Sequence, residues 1–243
     1  MELVRFGPDA ILVSTSPNLK AAQAATRSIP LVFVSVSDPV AQGFVANLAR
    51  PGGNTTGFTA FEFSIGGKWL ALLRTVAPNL ARAAVVFGEE PQSQFFLRSI
   101  TAAAPALGIE IVAAPVHELD EIARTLEELS HEPNSGLIFP TGRLMTANAD
   151  AIADLAARYR LPAIYAPQTA SEHGGLMSYT YDEGAQFREA AAYVDRILKG
   201  EKPTDLPIQQ PNKFTLVINL QAAKEVGITV PVSLLVAADQ VIE

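Results

Sequence analysis

The sequence predicts an α/β protein in which parallel sheets carry helices on both faces, a doubly wound arrangement. Two observations predict this fold class. Short apolar runs rich in β-branched residues alternate along the chain with longer segments of helical periodicity. These runs are continuously apolar rather than alternating, so we expect strands buried on both faces, as in parallel sheets.

The most distinctive strand is predicted at residues 29–36, where Pro30 precedes an apolar run too short for a typical helix. This run breaks into hydroxyl side chains and then into Asp38, a favoured N-cap, and Pro39, a favoured first helical residue. A helix is therefore predicted over residues 38–50.

The remaining elements follow the same alternation. Further strands are predicted at residues 9–14, 55–61, 82–87, 110–116, 136–140, 161–166, 176–181 and 213–219. Further helices are predicted at residues 18–28, 64–76, 92–107, 117–130, 145–160, 183–198 and 220–226. Trp69, Leu73 and Val76 illustrate the helical spacing, Gly108 ends one of these helices, and the chain after Val230 is expected to be irregular.

Composition excludes several classes of protein. The chain has 243 residues and a net charge of −7 without a basic cluster, which argues against a general nucleic-acid binder. It contains no cysteine, so disulfides and thiolate chemistry are excluded. No apolar run reaches the roughly 18–20 residues that span a bilayer, and the first residues have neither the basic start nor the apolar stretch of an export signal.

Catalytic and cofactor motifs are not found in the sequence. The three histidines, His117, His131 and His173, are expected to be ordinary loop or surface residues, and no nucleophile turn accompanies them. Glu89 and Glu90 form the nearest pair of carboxylates, which a solvated loop explains most simply. We therefore expect no metal, no cofactor and no enzymatic activity, although an α/β enzyme remains an alternative.

Polar residues follow the predicted strands at the points where they end. Because the carboxyl ends of parallel strands share one edge, where open α/β sheets bind ligands, these residues are candidates for a ligand site. They are Ser14, Thr15, Ser16, residues 35–38, residues 88–90, Thr141, Gly142, residues 166–168, Tyr181 and Asp182. The set suits a small polar molecule.

Several of these residues have two interpretations that the sequence leaves open. Asp182 is either an N-cap or a ligand-facing carboxylate for an ammonium group. Residues 14–16 either cap the following helix or hold an anion at its positive end. Tyr165 and Tyr181 are either core aromatics or rings that stack on a ligand.

Six stretches of the chain resemble a known family. They are residues 29–39, 48–57, 161–165, 174–179, 192–200 and 211–219. In these stretches the chain resembles the substrate-binding proteins of bacterial ABC transporters, in the branch that includes tryptophan- and tyrosine-type amino-acid uptake candidates. The matches occur in the family's order along the whole chain.

The resemblance implies a periplasmic binding protein fold of the first type, with two doubly wound lobes joined by three crossovers. Lobe 1 would comprise residues 1–62 plus 183–204, and lobe 2 residues 63–182 plus 205–243. The crossovers would lie near Thr56–Phe63, Tyr181–Glu183 and Pro203–Pro207. Family members begin with an export signal and a strand-helix-strand-helix unit, so we expect lobe 1 to be truncated at its N-terminus.

The resemblance also implies a function. The protein would be the solute-binding component of an ABC transporter and would clamp a small ligand, an aromatic or branched amino acid, between its lobes. It would work in the periplasm or as a lipid-anchored extracytoplasmic protein, with a permease as partner and without nucleic-acid binding or membrane insertion. A ligand-sensing domain of a regulator is the alternative, and sugars or purine-like ligands remain open.

Ligand-binding roles follow from the same resemblance. Ser14, Thr15, Ser16, Ser35, Ser37 and Asp38 of lobe 1 would grip the ligand carboxylate. Gly88, Glu89, Thr141, Tyr165, Pro167 and Asp182 would contribute from lobe 2. Within that set, Asp182 would bind the α-ammonium group and Tyr165 would pack on the ligand side chain.

Overall fold

The computed structural model describes residues 2–60, 64–90 and 92–243. Its strands are β1 (Ile11–Ser14), β2 (Leu31–Val36), β3 (Thr55–Thr59), β4 (Arg82–Phe87), β5 (Glu110–Pro115), β6 (Ser135–Phe139), β7 (Ala163–Tyr165), β8 (Met177–Tyr181), β9 (Phe214–Asn219) and β10 (Gln240–Ile242). Its helices are α1 (Glu2–Arg5), α2 (Ser16–Ala25), α3 (Ile65–Val76), α4 (Ser93–Leu107), α5 (Leu119–Ser130), α6 (Arg143–Ala147), α7 (Ala149–Arg158), α8 (Thr169–Glu172), α9 (Glu183–Leu198), α10 (Leu220–Val226) and α11 (Val232–Ala237).

The chain divides into two compact units. The first comprises Met1–Glu62 with Tyr181–Lys213, and the second Phe63–Thr180 with Phe214–Glu243. The first predicted crossover, near Thr56–Phe63, ends in residues 61–63, which lie outside the described part of the chain. The boundary at residues 180–181 lies beside the second predicted crossover, whereas the boundary at residues 213–214 lies beyond the third, near Pro203–Pro207, so residues 205–213 belong to the first unit.

Burial explains why residues 205–213 remain with the first unit. Leu206 and Ile208 are buried within its hydrophobic clusters. The backbone N–H of Gln209 donates to the carbonyl oxygen of Gly57 at 3.0 Å, and Gln209 forms a parallel bridge with Phe58. This segment therefore extends the edge of the first unit's sheet beyond β3.

The first unit is built on the parallel sheet β1-β2-β3. Leu19 of α2 packs with Phe33 on one face of the sheet. Tyr193 and Ile197 of α9 pack with Val34 on the other face. Helices on both faces explain why β2 is a continuous apolar run, as the sequence predicts.

The β2–β3 pair depends on a glycine. A Cβ atom added to Gly57 would lie 2.1 Å from the carbonyl oxygen of Phe33, and Gly57 has a φ of 150°. No real side chain tolerates such an approach. The strand–strand contact therefore requires glycine at this position.

The predicted helix over residues 38–50 is wrong. The structure forms turns over this segment, although Asp38 does act as a cap, its Oδ1 accepting from the backbone N–H of Ala41 at 3.0 Å. Gly43 follows with a φ of 73°, which is incompatible with a continuing α-helix. The glycine ends the helical turn that the cap begins.

The second unit contains the sheet β10-β9-β8-β7-β6-β4-β5. Its pairs β4–β5, β4–β6, β6–β7, β7–β8 and β9–β10 are parallel. The connection from β4 to β5 goes to one side of β4, and β6 then pairs on the other side. This change of direction is a topological switch point, outside which open α/β sheets bind their ligands.

Helices cover both faces of the second sheet. Ile122 and Leu126 of α5 pack with Val86 and Phe139 in one cluster, and α3 contacts β6 and β7. Within α3 lies Trp69, the single tryptophan of the chain, whose indole Nε1 donates to the carbonyl oxygen of Tyr179 at 2.7 Å.

The end of the chain is more regular than predicted. Pro231 precedes α11, and β10 then pairs in parallel with β9. These elements are too short to leave a periodic signal in the sequence. No helix in the described part of the chain combines the length and apolar character needed to cross a membrane.

Candidate functional site

Backbone strain marks the carboxyl edge of the first unit's sheet. Thr15, Ser35 and Asp38 have φ angles of 72°, 54° and 37°. Thr15 follows β1, Ser35 lies near the end of β2, and Asp38 lies two residues beyond β2. Such conformations cost of order 1–3 kcal/mol each and concentrate at ligand sites. This edge is therefore a candidate binding surface.

The start of α2 lies at the same edge. Thr15 occupies the N-cap position but makes no side-chain cap hydrogen bond. Asn18 instead donates from Nδ2 to the carbonyl oxygen of Ser14 at 3.0 Å. The first turn of α2 thus keeps its positive end without a capping side chain, which favours the anion-binding interpretation of residues 14–16.

Gln42 connects the two polar loops of this edge. Its Nε2 donates to the hydroxyl Oγ of Ser16 at 3.1 Å and to the carbonyl oxygen of Ser37. The structure thereby brings together two of the predicted site residues. A glutamine inside a predicted helix gave no signal of this role.

Ser35 contacts the start of α9 within the same unit. Its hydroxyl donates to Oε1 of Glu183 at 3.2 Å, and it also hydrogen-bonds the hydroxyl of Tyr181. The pKa of Tyr181 is raised, chiefly because burial disfavours the phenolate. Tyr181 is thus half-buried against first-unit residues.

Asp182 lies in the first unit, whereas the family resemblance implies that it belongs to the second lobe. It is the N-cap of α9, and its Oδ1 accepts from the backbone N–H of Ala185 at 2.8 Å. Its Oδ2 lies 3.3 Å from Nζ of Lys213 and 3.4 Å from Nη2 of Arg188. The hydrogen bond from Ala185, followed by the two cations, lowers the pKa of Asp182. An ammonium ligand would have to compete with these partners.

In the second unit, a surface pocket of about 610 Å³ lies at the switch point of the sheet. The loop after β4 contributes Gly88, Glu89 and Glu90, and the segment after β5 contributes His117. Arg143, at the start of α6, lies on a further wall. Two predicted site residues, Gly88 and Glu89, therefore line one pocket.

Glu89 faces solvent at the rim of this pocket. Its Oε1 lies 3.2 Å from Nε2 of His117, and its side chain is 81% exposed. His117 also contacts Glu121, with 3.1 Å between Nδ1 and Oε2. The hydrogen bond with Glu121, together with the charges of both carboxylates, raises the pKa of His117. The histidine is exposed, as predicted, but it is paired.

Glu90 is more enclosed than Glu89. Its Oε1 accepts from the backbone N–H of Arg143 at 2.7 Å. Its Oε2 is buried, and no described residue donates a hydrogen bond to it. A Cβ atom on Gly88 or Gly142 would lie 2.6 Å or 3.0 Å from this oxygen. Two glycines therefore make room for the carboxylate.

Tyr165 belongs to the core of the second unit. It is 3% exposed and stacks on Phe139 with 5.1 Å between ring centroids. Burial raises the pKa of its hydroxyl. Of the two interpretations that the sequence leaves open, the structure supports the core aromatic.

Two further predicted residues of the second unit, Thr141 and Pro167, follow the neighbouring strands β6 and β7. Thr141 follows β6 and is half-buried. Pro167 follows β7, and its carbonyl oxygen accepts from the backbone N–H of Ala170 at 3.2 Å. Neither residue lines the pocket that Gly88 and Glu89 share.

A metal site is not found in the described residues, where no group of three or more His, Cys, Asp or Glu side chains is placed to hold an ion. The edge of the first unit's sheet and the pocket of the second unit instead present hydroxyl groups, one uncapped helix start and carboxylates. Such groups bind polar molecules through hydrogen bonds and charge.

Comparison with known families decides the identity. The model of the family described as ABC transporter substrate binding protein matches residues 1–242. The chain belongs to this family. The resemblance that the sequence motifs predict is thus confirmed.

Solved structures of substrate-binding proteins share this fold. An ABC domain from Streptococcus pneumonia in complex with L-Trp is 25% identical, with a TM-score of 0.83 over 99% of this chain and 81% of that one. A ligand-free, open substrate-binding protein with adhesive properties from Clostridium difficile is 25% identical, with a TM-score of 0.81 over 95% and 77% of the two chains. The predicted fold class, two doubly wound lobes of the periplasmic binding protein type 1, is confirmed.

One curated relative is named for the ligand that it binds. The tyrosine-binding protein of Clostridioides difficile strain R20291 is 26% identical over 217 residues, which are 89% of this chain and 62% of that protein. This substrate-binding protein therefore spans less than two thirds of the length of that relative. A sugar-binding protein from Bacillus halodurans, at 13% identity and a TM-score of 0.68, shares the fold alone.

The sequence gives no signal for Gln42 as a neighbour of the predicted site residues. It places Glu90 at the edge of the sheet, but in a pair with Glu89 that a solvated loop explains most simply. The positions of Gly88 and Gly142 on either side of the carboxylate were the available signal, but Gly142 follows a different strand.

Proposed function

We propose that this substrate-binding protein binds an aromatic amino acid as a zwitterion and passes it to the permease of an ABC transporter. The observation that carries the proposal is the family match over residues 1–242, taken with two relatives named for tyrosine and L-Trp. Sugar-binding proteins share the fold at 13% identity only, so they give no comparable support.

A zwitterion needs hydrogen-bond donors for its carboxylate. The first unit offers them at the start of α2, where Ser14, Thr15 and Ser16 carry hydroxyls beside a helix end of positive partial charge. Ser35, Ser37 and Asp38 form the adjoining loop, which Gln42 joins to Ser16. We propose that the ligand carboxylate binds at this edge.

A zwitterion also needs an acceptor for its ammonium group. The second unit has a pocket of about 610 Å³ lined by Gly88 and Glu89. Thr141, Tyr165 and Pro167, the other predicted residues of this unit, lie at or after the ends of β6 and β7. Asp182, the acceptor that the resemblance implies, is already bonded to Ala185 and paired with Lys213. We therefore propose that a carboxylate of the second unit accepts from the ammonium group.

The role of the family indicates the partner and the location of the protein. Substrate-binding proteins deliver their ligands to a permease outside the cytoplasm, and we propose the same partner and location here. The ligand would leave chemically unchanged, which makes the protein a binding component and not an enzyme.

A thermal-shift screen of the purified chain tests the proposal. Twenty amino acids, a set of sugars and a set of nucleobases would each be added in excess. A ligand at about 100 times its Kd stabilises the folded state by about 2.7 kcal/mol. We expect L-tyrosine and L-tryptophan to raise the Tm most. A shift with a sugar or nucleobase and none with any amino acid would contradict the proposal.

A further inference from the structure

The second-unit pocket contains a carboxylate with an unused acceptor. Glu90 accepts one hydrogen bond, at 2.7 Å from the backbone N–H of Arg143, through Oε1. Its Oε2 is buried without a hydrogen-bond partner among the described residues. An ionised carboxylate has about four acceptor positions. Most of this capacity is therefore unfilled.

An enclosed carboxylate with unfilled acceptors is costly, because the folded protein replaces only part of its hydration. A cationic partner removes that cost more effectively than a neutral one, since charge-assisted hydrogen bonds are roughly twice as strong. The side chains of the neighbouring Glu89 and His117 pair with each other at 3.2 Å. The carboxylate of Glu90 is thus the acceptor in this pocket that a bound cation would satisfy.

The position of Glu90 in the fold supports a ligand instead of a purely structural role. It follows β4, and its bonded partner Arg143 follows β6. These two strands are neighbours at the switch point, the place where open α/β sheets bind ligands. The glycines at 88 and 142 leave room for the carboxylate in this position, because a Cβ atom there would lie 2.6 Å and 3.0 Å from Oε2.

We infer that Glu90 binds the ammonium group of the ligand. This inference rests on the proposed function, because it presumes an amino-acid ligand. The two oxygens turn together about the terminal torsion, which has a broad energy minimum. A small rotation presents Oε2 to the pocket and leaves Oε1 within hydrogen-bond reach of the Arg143 N–H, from which it lies 2.7 Å away. The residue then distinguishes an amino acid from an analogue that lacks the amine.

The test compares two ligands on two proteins by isothermal titration calorimetry. The ligands are L-tyrosine and 3-(4-hydroxyphenyl)propionate, which differ only in the amine. The proteins are the unmodified chain and Glu90→Gln, which keeps an oxygen for the Arg143 N–H but removes the charge. We expect Glu90→Gln to lose about 10- to 100-fold in affinity for L-tyrosine. Its affinity for the propionate should not fall.

Glu118→Gln is the matched control. Glu118 is exposed, lies at the same edge of the second unit's sheet and does not line the pocket, and the substitution changes the net charge equally. It should leave both affinities unchanged. Without ligand, Glu90→Gln should melt no lower than the unmodified chain, because the substitution removes the charge of a half-buried carboxylate whose enclosed Oε2 has no hydrogen-bond partner among the described residues.

Three results would overturn the inference. The first is equal L-tyrosine affinity in Glu90→Gln and the unmodified chain. The second is an equal loss for both ligands, or a lowered Tm without ligand, which would assign Glu90 a structural role. The third is the same loss in Glu118→Gln. These results differ from those expected if the proposed function is wrong, because the unmodified chain would then bind no aromatic amino acid.

Discussion

The carboxylate of Asp182 accepts a hydrogen bond from the backbone N–H of Ala185 at 2.8 Å and so caps α9. The same carboxylate pairs with Lys213, which immediately precedes the boundary between the two units along the chain. A residue that the sequence offers as a ligand contact thus has a local structural role in the first unit.

Asp182→Ala should destabilise the first unit by about 0.5–2 kcal/mol, the usual cost of losing an N-cap. Asp182→Asn should cost less, because asparagine also caps helices. Urea unfolding followed by circular dichroism measures both. Since a hydrogen bond and two cations lower the pKa of Asp182, the difference between Asp182→Ala and the unmodified chain should shrink as the pH falls below about 4.

Asp182→Asn also decides between two carboxylates as the ammonium partner. If Asp182 has the role that the resemblance implies, the variant should lose amino-acid affinity. If Glu90 has that role, the variant should retain it. Calorimetric titration with L-tyrosine separates the two assignments, and a large loss would refute the assignment to Glu90.

Gly57→Ala should disrupt the first unit. The added Cβ would lie 2.1 Å from the carbonyl oxygen of Phe33, so β3 would have to move away from β2. We expect a loss of more than about 3 kcal/mol, in the range of severe substitutions. Urea unfolding measures it, and Gly52→Ala, a turn glycine with open space around it, is the control. A loss as small as that of the control would show that the sheet can relax.

His117 should give the protein a pH-dependent stability. Its folded pKa lies above the ordinary 6.5 because it hydrogen-bonds Glu121 and faces Glu89. The stabilisation is therefore complete below about pH 6.5 and disappears as the pH rises through the folded pKa. His117→Gln should melt below the unmodified chain at about pH 5.5 and together with it at about pH 9.

Glu121→Gln is the matched variant for this titration, because it removes the carboxylate that lies 3.1 Å from Nδ1 of His117. In that background, His117→Gln should show a smaller pH-dependent difference. An equal difference for His117→Gln at both pH values would mean that the carboxylates do not stabilise the charged imidazole.

Trp69→Phe should destabilise the second unit by about 2–4 kcal/mol, through lost packing and an unbonded carbonyl oxygen. Trp69 is 2% exposed, packs on Phe96 with 5.1 Å between ring centroids and donates to Tyr179. Circular dichroism must follow the unfolding, since the variant lacks the only tryptophan. Phe95→Leu, at a more exposed position of α4, should cost much less.

The sequence predicts the fold class because β2 and β4 are apolar runs without alternation, and both are buried in the sheets. The prediction of a helix over residues 38–50 is wrong, because Gly43 ends the helical turn that begins at Asp38 and Pro39. The sequence also misses α11 and β10, which tertiary contacts stabilise more than local propensity does. Hydrophobic periodicity predicts long elements well. It does not show whether a helix that begins at an N-cap such as Asp38 continues past a glycine such as Gly43.

The candidate site was harder to predict than the fold. Glu89 and Glu90 are adjacent and chemically identical, yet one is a rim residue paired with His117 and the other lies between two glycines. Which of the two is enclosed depends on Gly142 and Arg143, more than fifty residues away along the chain. Sequence spacing therefore identifies the edge of the sheet but not which side chain faces its pocket.

The most direct measurement is a calorimetric titration of the unmodified chain with L-tyrosine, tyramine and 3-(4-hydroxyphenyl)propionate. Tyramine lacks the carboxylate and the propionate lacks the amine, so each removes one charge of the zwitterion. We predict saturable binding of one L-tyrosine per chain and much weaker binding of both analogues. Equal affinity for all three, or no binding of L-tyrosine or L-tryptophan, would contradict the claim that this protein recognises an aromatic amino acid by both of its charges.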